Sequence, residues 1–213
     1  MTVLAGRTYR RRCPASDEGT GMTELWEFHR RAGEMLAGNV KRIREDQWGL
    51  PTPCAGWDVR DLMHHIAWSN LWVAPLVAGR SLAEVAPELE GDVLGEDPIG
   101  VALRSIDVSS DAFERGYDRT VQLSRGMAPA REYCGERMND LVVHNWDLAA
   151  AIDGDRRLDE ECMEAALEVY RPFEAVLRPA GELGPDVEVP EGADLQTRYL
   201  AFFGRRADWT QPG

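Results

Sequence analysis

The sequence predicts an all-α fold, a four-helix bundle with an extra C-terminal helix and one extended crossover segment. Three observations predict it. Apolar residues recur at three- and four-residue steps along five segments of the chain. Capping and stopping residues bracket those segments. Only the stretch 120–135 mixes β-branched residues, Gly and Pro without helical period.

Thr23 is the expected N-cap of a first helix, whose face is traced by Leu25, Phe28, Ala32, Met35, Leu36, Val40 and Ile43 up to about Trp48. Pro51 and Pro53 prevent its continuation. Asp58 then stands as N-cap of a second helix, Val59 to about Val77, with Asp61 three positions on as a capping-box variant. Its inward stripe is Leu62, Ile66, Ser69, Trp72, Val73 and Leu76, and Pro75 bends or stops it. Residues 79–97 read as an acidic connection punctuated by Gly and Pro. Asp97 and Pro98 supply N-cap and first position of a third helix, carrying Ile99, Ala102, Leu103, Ile106, Phe113 and Tyr117 and ending near Gly116. After the crossover segment, a fourth helix is predicted from Glu136 to Ile152, stopped by Asp153 and Gly154. A fifth, capped by Asp159, carries Met163, Ala166, Leu167, Tyr170, Phe173 and Leu177. A short terminal helix from about Ala193 to Phe203 follows a Gly- and Pro-rich span. Long helices joined by loops suit a bundle.

Composition bounds the function. With 213 residues and 44% apolar side chains, one domain over residues 22–213 can bury a sizeable core. Thirty-seven acidic against 24 basic residues give a net charge of −13. That balance, with no visible DNA-binding helix-turn-helix or basic face, argues against nucleic acid or an anionic membrane as partner. No apolar run of roughly 18 residues is present, so no transmembrane helix is expected. Cys13, Cys54, Cys134 and Cys162 are dispersed without a CxxC pair, which reads as free thiols in a cytoplasmic protein. Residues 1–21 hold Arg7, Arg10, Arg11 and Arg12 but no apolar h-region. They are expected to be a disordered leader, or an extension upstream of a true start at Met22.

Only four histidines occur: His29, His64, His65 and His144. At about 100° per residue, His65 falls on the inward stripe of the second helix, three positions after Leu62 and four before Ser69, and His64 turns about 100° away. On the fourth helix Asp140 and His144 are an i, i+4 pair, and Asp147 continues their stripe. With the two helices face to face, His65, Asp140 and His144 could surround a divalent cation and leave a coordination position open, as catalytic zinc sites do. Two His and one carboxylate also suit non-haem Fe(II). The spacing by itself is weak evidence, and the commoner outcome of such a pattern is a hydrogen-bonded core His65 and a surface pair of Asp140 with His144.

Three runs carry a family resemblance: TPCAGWDVRDLMHHIAWSN from Thr52 to Asn70, RMNDLVVHNWDLAAAIDG from Arg137 to Gly154, and VPEGADLQTRYLAFFGRR from Val189 to Arg206. From Met22 onward the chain resembles the DinB-like superfamily, specifically the metal-binding N-terminal domain of mycothiol-dependent maleylpyruvate isomerase. The resemblance implies a DinB-like four-helix bundle and carries the family's metal ligands, usually zinc ligands, onto His65, Asp140 and His144. It departs at Asp140, where the isomerase has Glu; the shorter side chain withdraws the carboxylate by one methylene and bears on metal preference. The isomerase also has a further C-terminal domain that this chain is expected to lack, so maleylpyruvate isomerisation is not assumed.

What the resemblance implies is thiol activation. A zinc-bound small thiol, with mycothiol as cosubstrate, has its pKa lowered from about 8.5 and attacks a small electrophile as thiolate, in a transferase or isomerase-like reaction. The absence of HExxH disfavours hydrolysis of the metalloprotease kind. Asp147 either orients a ligand imidazole or is a solvated or capping carboxylate. Trp57 and Trp146 wall the pocket or simply pack. Cys54 is either a reactive thiol ahead of a helix or a small buried hydrophobe. Arg60 and Arg137 meet an anionic substrate or form helical ion pairs. Two other classes stay open, a non-catalytic metal- or thiol-binding stress or redox module and a metal-free helical interaction protein. A homodimer is compatible with either.

Overall fold

The structure, a computed structural model, describes residues 24–212. The expected leader over residues 1–21, the Thr23 cap and Cys13 lie outside the described residues. Helix α1 spans Leu25–Val40 with Glu24 at the N-cap position. It stops eight residues short of the expected Trp48. Buried Asn39 turns its amide into the bundle, donating from Nδ2 to Asn145 Oδ1 (2.8 Å) and to the Asp155 carbonyl (3.2 Å). The chain then turns through an extended Arg44 into a 3-10 turn, Glu45–Gln47. Ile43 remains buried from that turn, which is why the apolar spacing outlasts the helix.

Asp58 caps α2 (Val59–Leu71) with the expected reciprocal Asp58–Asp61 box. The predicted single helix to Val77 is two pieces, α2 and α3 (Val73–Val77), joined at Trp72. Pro75 explains the break: it has no N–H for the Leu71 carbonyl and its ring crowds that group. The acidic connection is not wholly irregular, because Ser81 and Glu84 form a capping box that starts α4 (Leu82–Val85). Asp97 and Pro98 open α5 (Pro98–Gly116) as expected.

The crossover is a two-stranded antiparallel hairpin, β1 (Thr120–Leu123) and β2 (Gly126–Pro129). Helix α6 (Ala130–Ile152) then begins six residues before the predicted Glu136. Gly135, which reads as a breaker, lies inside it. A Cβ there would stand 3.3 Å from side chains of Leu25 and Val169, so the glycine serves close packing. Asp153 itself adopts the left-handed conformation that ends α6 (φ 57°). Asp159 caps α7 (Glu160–Tyr170); Pro172 separates it from α8 (Glu174–Leu177). Asp194 caps α9 (Leu195–Phe202).

The bundle is formed by α1, α2, α5 and α6, with α7 laid on α6 and α1, and α9 on α7. Leu36, Leu62, Ile66, Leu141 and Leu148 are fully buried at its centre, each stabilising it by about 1.5–3 kcal/mol. Helix α6 is buried on nearly every side. Its polar residues must therefore find partners inside the protein. Asn139 accepts from Tyr199 Oη (2.8 Å) and Asn145 from Asn39. Farther along, His144 lies between Asp140 and Asp147 on the same helix. Among the described residues no helix is long and apolar enough to cross a membrane.

Candidate metal centre

Helix α2 presents His65 across the bundle to Asp140 and His144 on α6. His65 Nε2 and His144 Nε2 each lie 3.5 Å from Asp140 Oδ1, and His65 Nε2 is also 3.4 Å from Oδ2. One ligand atom from each residue falls within 4.8 Å of the others. These separations are long for charge-assisted hydrogen bonds, which run to about 2.7–2.9 Å. They match the edge of a tetrahedron: an ion bonded at about 2.0–2.2 Å spaces its ligand atoms by roughly 3.3–3.6 Å. The donor set therefore fits a divalent borderline ion such as zinc. His65 and Asp140 side chains are 29% and 22% exposed against 8% for His144. The cluster thus opens toward solvent on the side of its two outer members.

His64, one position away, is half-buried and faces the Gly91 carbonyl (3.0 Å), away from the cluster as the helix wheel requires. His29 takes no part in the cluster. It is fully buried between α1 and α5, 3.1 Å from Ser110 Oγ, with its Nε2 unpartnered. Burial first, then Arg137 and Arg30, push its pKa down to about 3.

Around the three residues lies a built surround. His144 Nδ1 is 2.9 Å from Asp147 Oδ2, placing Nε2 toward Asp140. Asp147 is fully buried against the imidazole, which excludes the solvated reading of this carboxylate. Burial works to raise the Asp147 pKa, yet Arg205 and His144 hold it down to about 2. Asp140 is likewise opposed by burial and held well below the ordinary carboxylate range by Arg137, then His65 and His144. His144 is pushed well above its ordinary value, because Asp140 and the hydrogen bonds to Asp140 and Asp147 outweigh burial. Arg137, three residues before Asp140 on the same helix, pairs with Oδ2 and leaves Oδ1 toward both imidazoles.

The loop before α2 adds two groups. Thr52 Oγ1 accepts from the Cys54 N–H (3.2 Å) and donates to the Trp57 carbonyl (2.9 Å), folding residues 52–57 into a tight turn. This sets Trp57 over the site, its ring 5.0 Å from His65 and 6.3 Å from His144. It also brings the half-buried Cys54 thiol to Asp147 Oδ2 (3.2 Å). Trp57 thus walls the site, whereas Trp146 is fully buried packing. Arg60 pairs with Asp92 on the surface and stands apart. Arg205 was missed in the sequence: it sits 58 residues beyond Asp147 and donates to both of its oxygens.

Comparison with known proteins agrees with this architecture. The family described as mycothiol maleylpyruvate isomerase N-terminal domain matches residues 29–149. Two uncharacterized proteins of Mycobacterium tuberculosis, MT0763 and Rv0738, are each 32% identical over 182 residues, covering 83% of this chain and 95% of theirs. A crystal structure of the mycothiol-dependent maleylpyruvate isomerase superposes with a TM-score of 0.52 at 15% identity, covering 68% of this chain and 70% of that one. A histidine-to-alanine mutant of that enzyme gives 0.55 at 16%, covering 78% and 77%. At such identities the solved structures speak for the fold alone, the DinB-like bundle. With more than half its length matched and relatives alike across nearly their whole length, the chain belongs to the mycothiol maleylpyruvate isomerase N-terminal domain family.

Proposed function

We propose that this protein binds one divalent ion, zinc by preference, through His65, Asp140 and His144, and uses it in a thiol-dependent transfer or isomerase-like reaction with mycothiol as cosubstrate. The observation that carries the reading is that the Nε2 atoms of His65 and His144 each lie 3.5 Å from the same Asp140 oxygen, a tetrahedral edge length, with all three ligand atoms within 4.8 Å of one another. The chemistry such an ion supplies is to keep a small thiol in its deprotonated, nucleophilic form near neutral pH. The chain's own residues do the rest. Asp147 takes the Nδ1 side of the His144 ring and turns Nε2 toward Asp140, where a bound ion would replace its proton. Arg137 neutralises Asp140 from the far oxygen and sets the carboxylate plane. Trp57 covers the imidazoles and keeps water from that face. His65 and Asp140, the more exposed members of the cluster, mark the side from which a small electrophile would reach it.

The test is a thiol-dependent assay with zinc-loaded protein, mycothiol and a chromogenic halodinitrobenzene as electrophile. Consumption above the uncatalysed rate, requiring both zinc and thiol and lost in His144→Ala, supports the reading. Metal uptake without any turnover across a panel of electrophiles would instead favour a non-catalytic metal- and thiol-binding module. Absence of metal uptake would leave a helical interaction protein.

A further inference from the structure

Helix α9 ends in a Schellman motif. The Arg205 N–H reaches the Leu200 carbonyl (2.8 Å) and the Gly204 N–H the Ala201 carbonyl (3.0 Å). Gly204 takes φ 77°, and a Cβ there would stand 2.9 Å from Gly184 Cα and from Pro185 Cδ. Both its conformation and its close docking thus require glycine. The Arg205 backbone is therefore fixed before its side chain makes any contact.

That side chain enters the bundle. Its Nη2 is 2.9 Å from Asp147 Oδ2 and its Nε 3.3 Å from Oδ1, a two-point grip on a carboxylate with no exposed surface. Nη1 donates to the Phe203 carbonyl (2.7 Å), and Nη2 also lies 3.5 Å from Cys54 Sγ. Asp147 Oδ2 in turn faces His144 Nδ1. A continuous chain of hydrogen bonds thus runs from the C-terminal segment to one ligand of the centre. Its origin lies outside residues 29–149, over which the family matches.

We propose that Arg205 is a positioning residue for the metal centre, acting through Asp147 to hold the His144 ring in ligating orientation. The C-terminal segment is by this reading part of the site. The inference rests on the metal reading above and goes beyond it by assigning a residue outside the ligand set. Removing Arg205 frees the Asp147 carboxylate plane to rotate, and the His144 ring with it.

The experiment measures cobalt(II) affinity and visible absorption of the full chain for wild type, Arg205→Gln, Arg205→Lys, Asp147→Asn and the Asp147→Asn/Arg205→Gln double variant, with circular dichroism reporting the fold. Loss of such an outer partner weakens metal binding by about tenfold to a hundredfold. Arg205→Gln is expected to lose that much and to shift the cobalt spectrum, Arg205→Lys to recover part of both, and Arg205→Gln to add nothing once Asp147 is Asn. Wild-type affinity and spectrum in Arg205→Gln would overturn the proposal, and so would losses that simply add in the double variant. If Arg205→Gln fails to fold, Arg205→Lys decides: weakened cobalt binding with a shifted spectrum supports the proposal, and wild-type affinity and spectrum overturn it. No cobalt or zinc uptake by the wild type would instead overturn the metal reading itself.

Discussion

Two buried histidines in one bundle are driven in opposite directions. His29, between α1 and α5, has one hydroxyl beside it and two arginines near it, and its pKa falls to about 3. His144, on α6, lies between two carboxylates and is pushed well above its ordinary value. Burial opposes the charged form of both. What differs is the sign of the neighbouring charge, and that decides which imidazole is a packing element and which can take part in chemistry. His65 and His64, adjacent in sequence, are separated instead by the helix face they occupy, and only the inward one meets Asp140.

The comparison breaks most visibly under metal. Zinc at a thousandfold excess over its Kd stabilises a folded binder by about 4 kcal/mol. Thermal melts should show that gain in wild type and in His29→Gln, and show none in His144→Ala. An equal gain in His144→Ala would place the ion elsewhere. Next in size is Asp147→Asn. By titration calorimetry it should weaken zinc about tenfold to a hundredfold, which is roughly 1.4–2.7 kcal/mol.

Acid stability sharpens the contrast from the other side. The unfolded chain protonates His29 near pH 6.5, but the folded protein resists until about pH 3. Stability from this site is complete above pH 6.5 and declines by about 1.4 kcal/mol for each pH unit below it. His29→Gln should flatten that slope between pH 6.5 and 4 in urea titrations, and an unchanged slope would refute the buried neutral imidazole. Asp147, with its pKa lowered to about 2, works at a different pH: its contribution is intact above the ordinary carboxylate range and disappears as pH falls toward 2. The smallest effect is expected at Cys54. Its thiol makes only weak sulfur contacts, to Asp147 Oδ2 (3.2 Å), Arg205 Nη2 (3.5 Å) and His144 Nδ1 (3.8 Å), so Cys54→Ala should cost about 1 kcal/mol or less in zinc binding.

Much of this was legible in the sequence because its signals are local. Asp58, Asp97 and Asp159 cap the helices they were expected to cap, since a cap concerns only the next three residues. Helical spacing on two elements put His65 on an inward face and Asp140 beside His144, and the family resemblance brought the two together. Tertiary contacts set the rest. The end of α1 is decided by Asn39 reaching Asn145 and Asp155, and the early start of α6 by Gly135 packing against α1 and α7. Arg205 left one local sign, a Gly-Arg step after a helix, but its carboxylate partner is visible only in the folded chain.

The most direct test is elemental analysis of protein purified without chelator, wild type beside His65→Ala, His144→Ala and His29→Ala. About one equivalent of zinc is expected in wild type and in His29→Ala, and almost none in the other two. Equal metal in all four proteins, or loss with His29→Ala alone, would contradict a centre built on His65, Asp140 and His144.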